Sequence, residues 1–129
     1  MKKILMVVLT LFMLSLSLTA CSSNKVEISA DANGQTIDLT TGQKLVVSLE
    51  SNPTTGFDWE ITEIDQAVIK QSGESEYKSE SDLLGAGGVR TFTFEAVATG
   101  TSTLKLIYHR SWEKDIPPEQ EFTVTINVK

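Results

Sequence analysis

His109, Ser111 and Asp115 crowd into one short stretch and are the side-chain types that a nucleophilic hydrolase assembles. Such a triad is defined by geometry rather than nearness, and His109 continues an alternating run that starts at Leu104, which directs it along the rim of a sheet. It is the only histidine, so the chain holds one conventional general base and no multi-histidine metal or haem arrangement. Cys21 is the only cysteine, which excludes an intramolecular disulfide and a CxxC metal site. Acidic pairs such as Glu119 and Glu121 read as solvated surface, and Asp31, Asp38 and Asp58 lack the spacing of a calcium loop. No catalytic residue, metal or cofactor is expected, and the chemistry left to this chain is recognition.

Three stretches carry residues suited to recognition: Ser51–Gly56, Ser81–Gly88 and Arg110–Gln120. In the first, Pro53 fixes its own φ and pushes Asn52 toward an extended conformation, while Gly56 can take a positive φ and turn the chain. Thr54 and Thr55 are then held at a tip between two stiff points, with Phe57 and Trp59 following; by turn chemistry alone this is also a plain sandwich turn. The second has glycine at 85, 87 and 88 around Ala86, which permits close approach of backbone to another molecule or serves as a flexible hairpin connection. A phosphate cradle needs a helix start after the glycines, whereas Arg90–Phe94 reads as strand. In the third, Trp112 lies outside any alternating run beside Arg110 and Ser111, as an exposed binding anchor does; the other reading folds the ring back onto its own loop.

Such loops need a rigid scaffold, and the rest of the chain supplies one. Its 129 residues fit one ordinary domain, and 40% hydrophobic content is too high for a disordered chain. Period-2 alternation at 45–49, 57–61, 92–96, 104–108 and 122–128 predicts half-buried strands. Weaker strands are expected at 26–29, 36–39, 68–71 and 74–79, with turns at Asn33-Gly34, Thr41-Gly42, Thr99-Gly100 and Gly73. Only 61–67 has the pattern for a helical turn. Seven or more strands in about 100 residues predict an all-β, immunoglobulin-like sandwich of two sheets. Of 11 basic side chains two, Lys2 and Lys3, precede residue 21, so the remainder sets nine against 17 acidic ones, a balance that argues against nucleic acid as a partner.

Asn52–Phe57 with Trp59, then Gly85–Gly88, then Arg110-Ser111-Trp112, in this order and spacing, resemble the three loops of the chagasin-like inhibitors of cysteine peptidases. The resemblance spans about Val26 to Lys129. It implies an immunoglobulin-like β-sandwich whose three binding loops line up at one end and form a wedge that reversibly fills the active-site cleft of papain-like peptidases; nothing in the sequence demands more than a monomer. Thr54 and Thr55 would sit nearest the catalytic cysteine, Trp112 would stack on an aromatic wall with Arg110 supporting that edge, and Gly85, Ala86, Gly87 and Gly88 would offer backbone to the substrate-binding side. An interface on the order of 800 Å² per partner is the standard size for an inhibitor. To resist cutting, the loop must keep the carbonyls of Thr54-Thr55 out of attack geometry. Ser111 departs from the proline most common in the family, which leaves that loop freer, and Phe57 lacks the hydroxyl of the alternative tyrosine. A non-inhibitory immunoglobulin-like lipoprotein module that binds an envelope protein or glycan would use the same exposed tryptophan and glycines.

The first residues carry an address. Lys2 and Lys3 precede an apolar run from Ile4 to Leu14 that only Thr10 interrupts and that is short for a bilayer span. Leu18-Thr19-Ala20-Cys21 matches a bacterial lipobox, so residues 1–20 are expected to be a signal peptide, Cys21 the lipidated new N-terminus and 21–25 the tether. The domain then runs over 26–129. Acyl chains at Cys21 would hold it on the cell envelope after export, at the outer leaflet of the plasma membrane or at the outer membrane, periplasmic face included.

Overall fold

The computed structural model describes residues 24–129. The expected signal peptide at residues 1–20 and the expected lipidation site at Cys21 lie outside the described residues. Among the described residues nine strands form: β1 (Lys25–Ile28), β2 (Thr36–Leu39), β3 (Lys44–Ser51), β4 (Asp58–Glu63), β5 (Ile69–Gln71), β6 (Glu76–Ser79), β7 (Gly88–Ala96), β8 (Gly100–His109) and β9 (Gln120–Val128). The runs of β-branched and aromatic residues become the long strands β3, β7, β8 and β9, and the weaker patterns become short strands at the sheet edges. Chain segments Ala30–Ala32 and Pro53–Thr55 each make a single 3-10 turn. At 61–67 the strand β4 continues to Glu63, and one hydrogen-bonded turn follows, closed by the Val68 and Ile69 N–H groups on the Asp65 carbonyl. Asp65 Oδ1 accepts the Ala67 N–H as a cap that opens the turn, and the strand beginning at Ile69 leaves it at a single turn.

Two sheets pack face to face as an immunoglobulin-like sandwich. One has the order β1-β3-β7-β5, with β6 following β5 along the same outer edge of β7; the other has the order β2-β9-β8-β4. Most neighbours are antiparallel, but the edge strands β1 and β2 run parallel to β3 and β9. The alternation of the sequence is the alternation of burial. Leu45, Val47 and Leu49 of β3 and Phe92, Phe94 and Ala96 of β7 face Leu104, Leu106 and Tyr108 of β8 and Phe122, Val124, Ile126 and Val128 of β9. Each of the Val, Leu, Ile and Phe side chains among them contributes about 1.5–3 kcal/mol by leaving water, so four long strands hold the frame rigid.

Strand register then decides where the loops go. Ser51, the last residue of β3, pairs with Gly88, the first of β7. Asp58, the first residue of β4, pairs with His109, the last of β8, and Tyr108 pairs with Gln120 at the start of β9. The connections 52–57, 80–87 and 110–119 therefore leave the same end of the sandwich as neighbours.

Candidate functional site

The loops stand on a polar base that ties the two sheets together. Asp58 accepts hydrogen bonds from Arg90 Nε (3.0 Å), from Arg90 Nη2, from the Ser51 hydroxyl (3.0 Å) and from the Trp59 N–H (2.9 Å). Burial works to raise the Asp58 carboxyl, but these donors and the Arg90 charge win and hold it below the usual carboxylate value. Trp59, buried, donates its indole N–H to the Glu50 carbonyl at 2.9 Å, and Tyr108 stacks between Trp59 and Phe57 at 5.1 and 5.4 Å. The base thus joins β3, β4, β7 and β8 immediately beneath the loops.

Asn52 organises the first loop. Its N–H donates to the Tyr108 hydroxyl at 3.0 Å and its side-chain amide to the Gly85 carbonyl at 3.1 Å, which fastens the loop both to the other sheet and to the second loop. Its side-chain oxygen accepts the Thr54 hydroxyl, and its carbonyl accepts the Thr55 N–H (3.1 Å) and hydroxyl (2.6 Å). Pro53 opens the 3-10 turn, where its missing N–H costs nothing. Gly56 closes the turn at φ +86°, and Thr54 and Thr55 are exposed at the tip.

The third loop packs on the first. Arg110 Nε donates to the Thr55 carbonyl at 3.0 Å, its Nη1 to Glu113 Oε1 at 3.1 Å, and its guanidinium lies 4.3 Å from the centre of the Phe57 ring. The turn at Ser111 is closed by the Glu113 N–H on the Arg110 carbonyl, so Glu113 braces it where a proline is absent. Trp112 remains 65% exposed, yet the tip of its ring lies over Gly56 so closely that a Cβ there would overlap Cη2 and sit 3.0 Å from Cζ2. The ring is exposed, and it packs on the neighbouring first loop rather than folding back onto its own.

The second loop divides. Gly85 takes φ +78° and presents its carbonyl to Asn52, while the Ala86 N–H closes a turn on the Leu83 carbonyl. Gly88 is buried inside β7, where a Cβ would overlap the Lys78 carbonyl and lie 2.8 Å from the Tyr77 hydroxyl and Ser79 Cα. Its close approach is thus made to β6 of its own sheet and not toward solvent. Gly87 lies over the Ser51 carbonyl at the loop's foot.

Thirteen residues drawn from three stretches of sequence are in this way brought to one end, with Thr54, Thr55, Gly85 and Trp112 exposed and Asn52, Arg110 and Gly88 used for bracing. Sequence reasoning missed Leu83, 77% exposed, and Leu84, wholly exposed, at the tip of the second loop, and Ile116 on the third. The rule that singled out Trp112, an apolar side chain outside any alternating run, finds Leu83 and Leu84 as well. It also missed the Asp58–Arg90 pair, since their partnership across strands is a matter of register. As for hydrolysis, His109 Nε2 donates to Glu60 Oε2 of β4 at 2.6 Å, and among the described residues no hydrogen bond joins it to Ser111 or Asp115. No group of three or more His, Cys, Asp or Glu side chains suited to a metal occurs among the described residues.

The family model for the chagasin family peptidase inhibitors matches residues 38–126. Chagasin of Trypanosoma cruzi is 36% identical over 100 residues, which are 71% of this chain and 87% of that protein. A cysteine protease inhibitor from Entamoeba histolytica superposes with a TM-score of 0.74 at 24% identity, covering 81% of this chain and 96% of that one. PbICP-C, solved in complex with falcipain-2, gives a TM-score of 0.54 at 19% identity over 81% of this chain and 98% of that one. At these identities the two solved structures speak for the sandwich fold.

Proposed function

Because the chain belongs to the chagasin family of peptidase inhibitors, we propose that it inhibits papain-like cysteine peptidases reversibly, filling the active-site cleft with the ridge formed by its three loops. It is an inhibitor and not an enzyme. The observation that carries the reading is the cross-bracing of the ridge: Asn52 to Gly85 and Arg110 to Thr55. A ridge held in its binding shape before it meets the enzyme loses little conformational freedom on association, and this favours tight reversible inhibition. In this reading Thr54 and Thr55 lead into the cleft, Trp112 stacks on one wall, and the second loop, with Leu83 and Leu84, lies along the other. The partner in the falcipain-2 complex is consistent with a cysteine peptidase as the target class.

Alanine at Thr55 and alanine at Trp112 test the reading. Each should weaken inhibition of papain at least tenfold with an unchanged melting temperature, since both side chains are exposed. Unchanged inhibition by both folded variants refutes it. We further propose that the domain acts on the envelope surface, exported by residues 1–20 and anchored by lipid at Cys21; the lipobox at 18–21 supports this. Labelled palmitate should enter the wild-type protein and its membrane fraction, and the Cys21→Ser variant should take up none. Labelling of that variant, or a soluble wild type, refutes the anchor.

A further inference from the structure

A peptide loop that enters a peptidase cleft must explain why it is not cut, and the carbonyls of the first loop supply an answer. The Asn52 carbonyl accepts the Thr55 N–H and hydroxyl, the Pro53 carbonyl accepts the Gly56 N–H at 2.9 Å, and the Thr55 carbonyl accepts Arg110 Nε. The first two bonds lie inside one short 3-10 turn, an arrangement with little stability of its own. The third is different: among these carbonyls only that of Thr55 is held from another loop. Arg110 is itself fixed at two more points, by Glu113 and by the Phe57 ring, which stacks in turn on Tyr108.

We infer that Arg110 is the positioning residue that keeps the first loop from becoming a substrate, an inference that rests on the inhibitor reading above. Papain-like cleavage of the bond after Thr55 requires an extended backbone and the Thr55 carbonyl oxygen in the enzyme's oxyanion hole. With both met, the enzyme thiolate adds to the carbonyl carbon and the Gly56 nitrogen leaves as an amine after taking a proton. Water then hydrolyses the thioester, which frees a carboxylate at Thr55 and returns the thiol. Arg110 opposes this at the first step. It occupies the oxygen that the enzyme's donors would take, and it ties the turn to the third loop so that it cannot straighten. Trp112 acts separately, through contact area, and its loss should weaken binding without unlocking the loop.

The test incubates the wild type and the Arg110→Ala, Arg110→Lys and Trp112→Ala variants with a stoichiometric amount of papain, follows papain activity over a day and takes intact masses. Wild type should inhibit and stay whole. Trp112→Ala should inhibit more weakly and stay whole. The Arg110 variants, shown by thermal melting to be folded, should inhibit at first and then release active papain, with fragments ending at Thr55 and beginning at Gly56 appearing at least 100-fold faster than from wild type. Lysine keeps the charge and the stem but lacks the planar Nε–H donor, so it gives the answer if alanine fails to fold. The inference is overturned if folded Arg110 variants stay whole under the same conditions, or if they are cut only at other bonds. A wild type that does not inhibit papain at all removes the inhibitor reading itself, a distinct result.

Discussion

Gly56 is the position where backbone, packing and recognition meet, and Gly56→Ala separates them. The residue has φ +86°, where an L side chain costs roughly 1–2 kcal/mol. The added methyl also overlaps Trp112 Cη2 and crowds Cζ2 and Cζ3 at 3.0 and 3.3 Å. The indole is 65% exposed and free to swing outward, so the overlap is relieved by moving the anchor and not by disturbing the core. The stability loss should therefore be the backbone cost alone, a fall in melting temperature of about 5–10 °C for a domain of this size. The affinity loss should be larger, because a displaced aromatic hot spot costs about 2 kcal/mol, or roughly 30-fold in inhibition constant. A double-mutant cycle with Trp112→Ala supplies the check. In that background Gly56→Ala should still lower the melting temperature but add little further loss of inhibition, a coupling within the roughly 0.5–3 kcal/mol that touching residues show. Full additivity of the two losses in inhibition, or a Gly56→Ala protein that inhibits like wild type, refutes the claim that the missing Cβ sets the ring.

Gly88→Ala should destabilise the fold by about 1–3 kcal/mol or more, since its methyl meets the Lys78 carbonyl, a backbone atom in the sheet; a melting temperature equal to that of wild type counts against the buried placement. Leu84→Asp should leave melting unchanged, as the side chain is wholly exposed, while weakening papain inhibition at least fivefold if the second loop lies against the enzyme. Asp58 governs acid sensitivity. Its carboxyl, depressed in the folded protein from an ordinary 3.8, is ionised in the folded state where the unfolded chain binds the proton, so its contribution is present above about pH 4 and lost as pH falls below it. Chemical denaturation at pH 6 and pH 3 should show a smaller decline for Asp58→Asn than for wild type, and equal declines refute the assignment. Asn52→Ala keeps the main-chain bonds but loses those to Gly85 and Thr54, worth about 1 kcal/mol each. Inhibition should weaken roughly 5–30-fold, and an unchanged inhibition constant argues against preorganisation as the source of affinity.

The strands were legible wherever burial alternates strictly, because a half-buried strand writes its own period into the sequence. β3, β7, β8 and β9 follow from Leu45-Val47-Leu49, Phe92-Phe94, Leu104-Leu106 and Phe122-Val124-Ile126 without further information. The loops were legible for a different reason, as interruptions of that period bearing proline, glycine and tryptophan. What stayed hidden depends on register. Nothing in the local sequence announces that Ser51 pairs with Gly88, and so nothing says that Gly88 is walled in by β6 while Gly85, three residues earlier, faces Asn52. The parallel pairing of β1 and β2 is hidden likewise, since a short edge strand reads the same in either direction. Arg110 shows the limit most clearly: its type and place beside Trp112 mark it for recognition, but only the folded chain turns its Nε toward the Thr55 carbonyl.

The central claim is that a braced ridge of three loops closes the cleft of a papain-like peptidase. Titration of active papain with the wild-type protein, with a competing peptide substrate and a thiol-directed alkylating reagent present in separate arms, tests it most directly. The account predicts one-to-one inhibition that substrate relieves, protection of the catalytic cysteine from alkylation, and full recovery of activity on dissociation. A folded protein that leaves papain active at micromolar concentration, or that inhibits while the catalytic cysteine still alkylates freely, contradicts it.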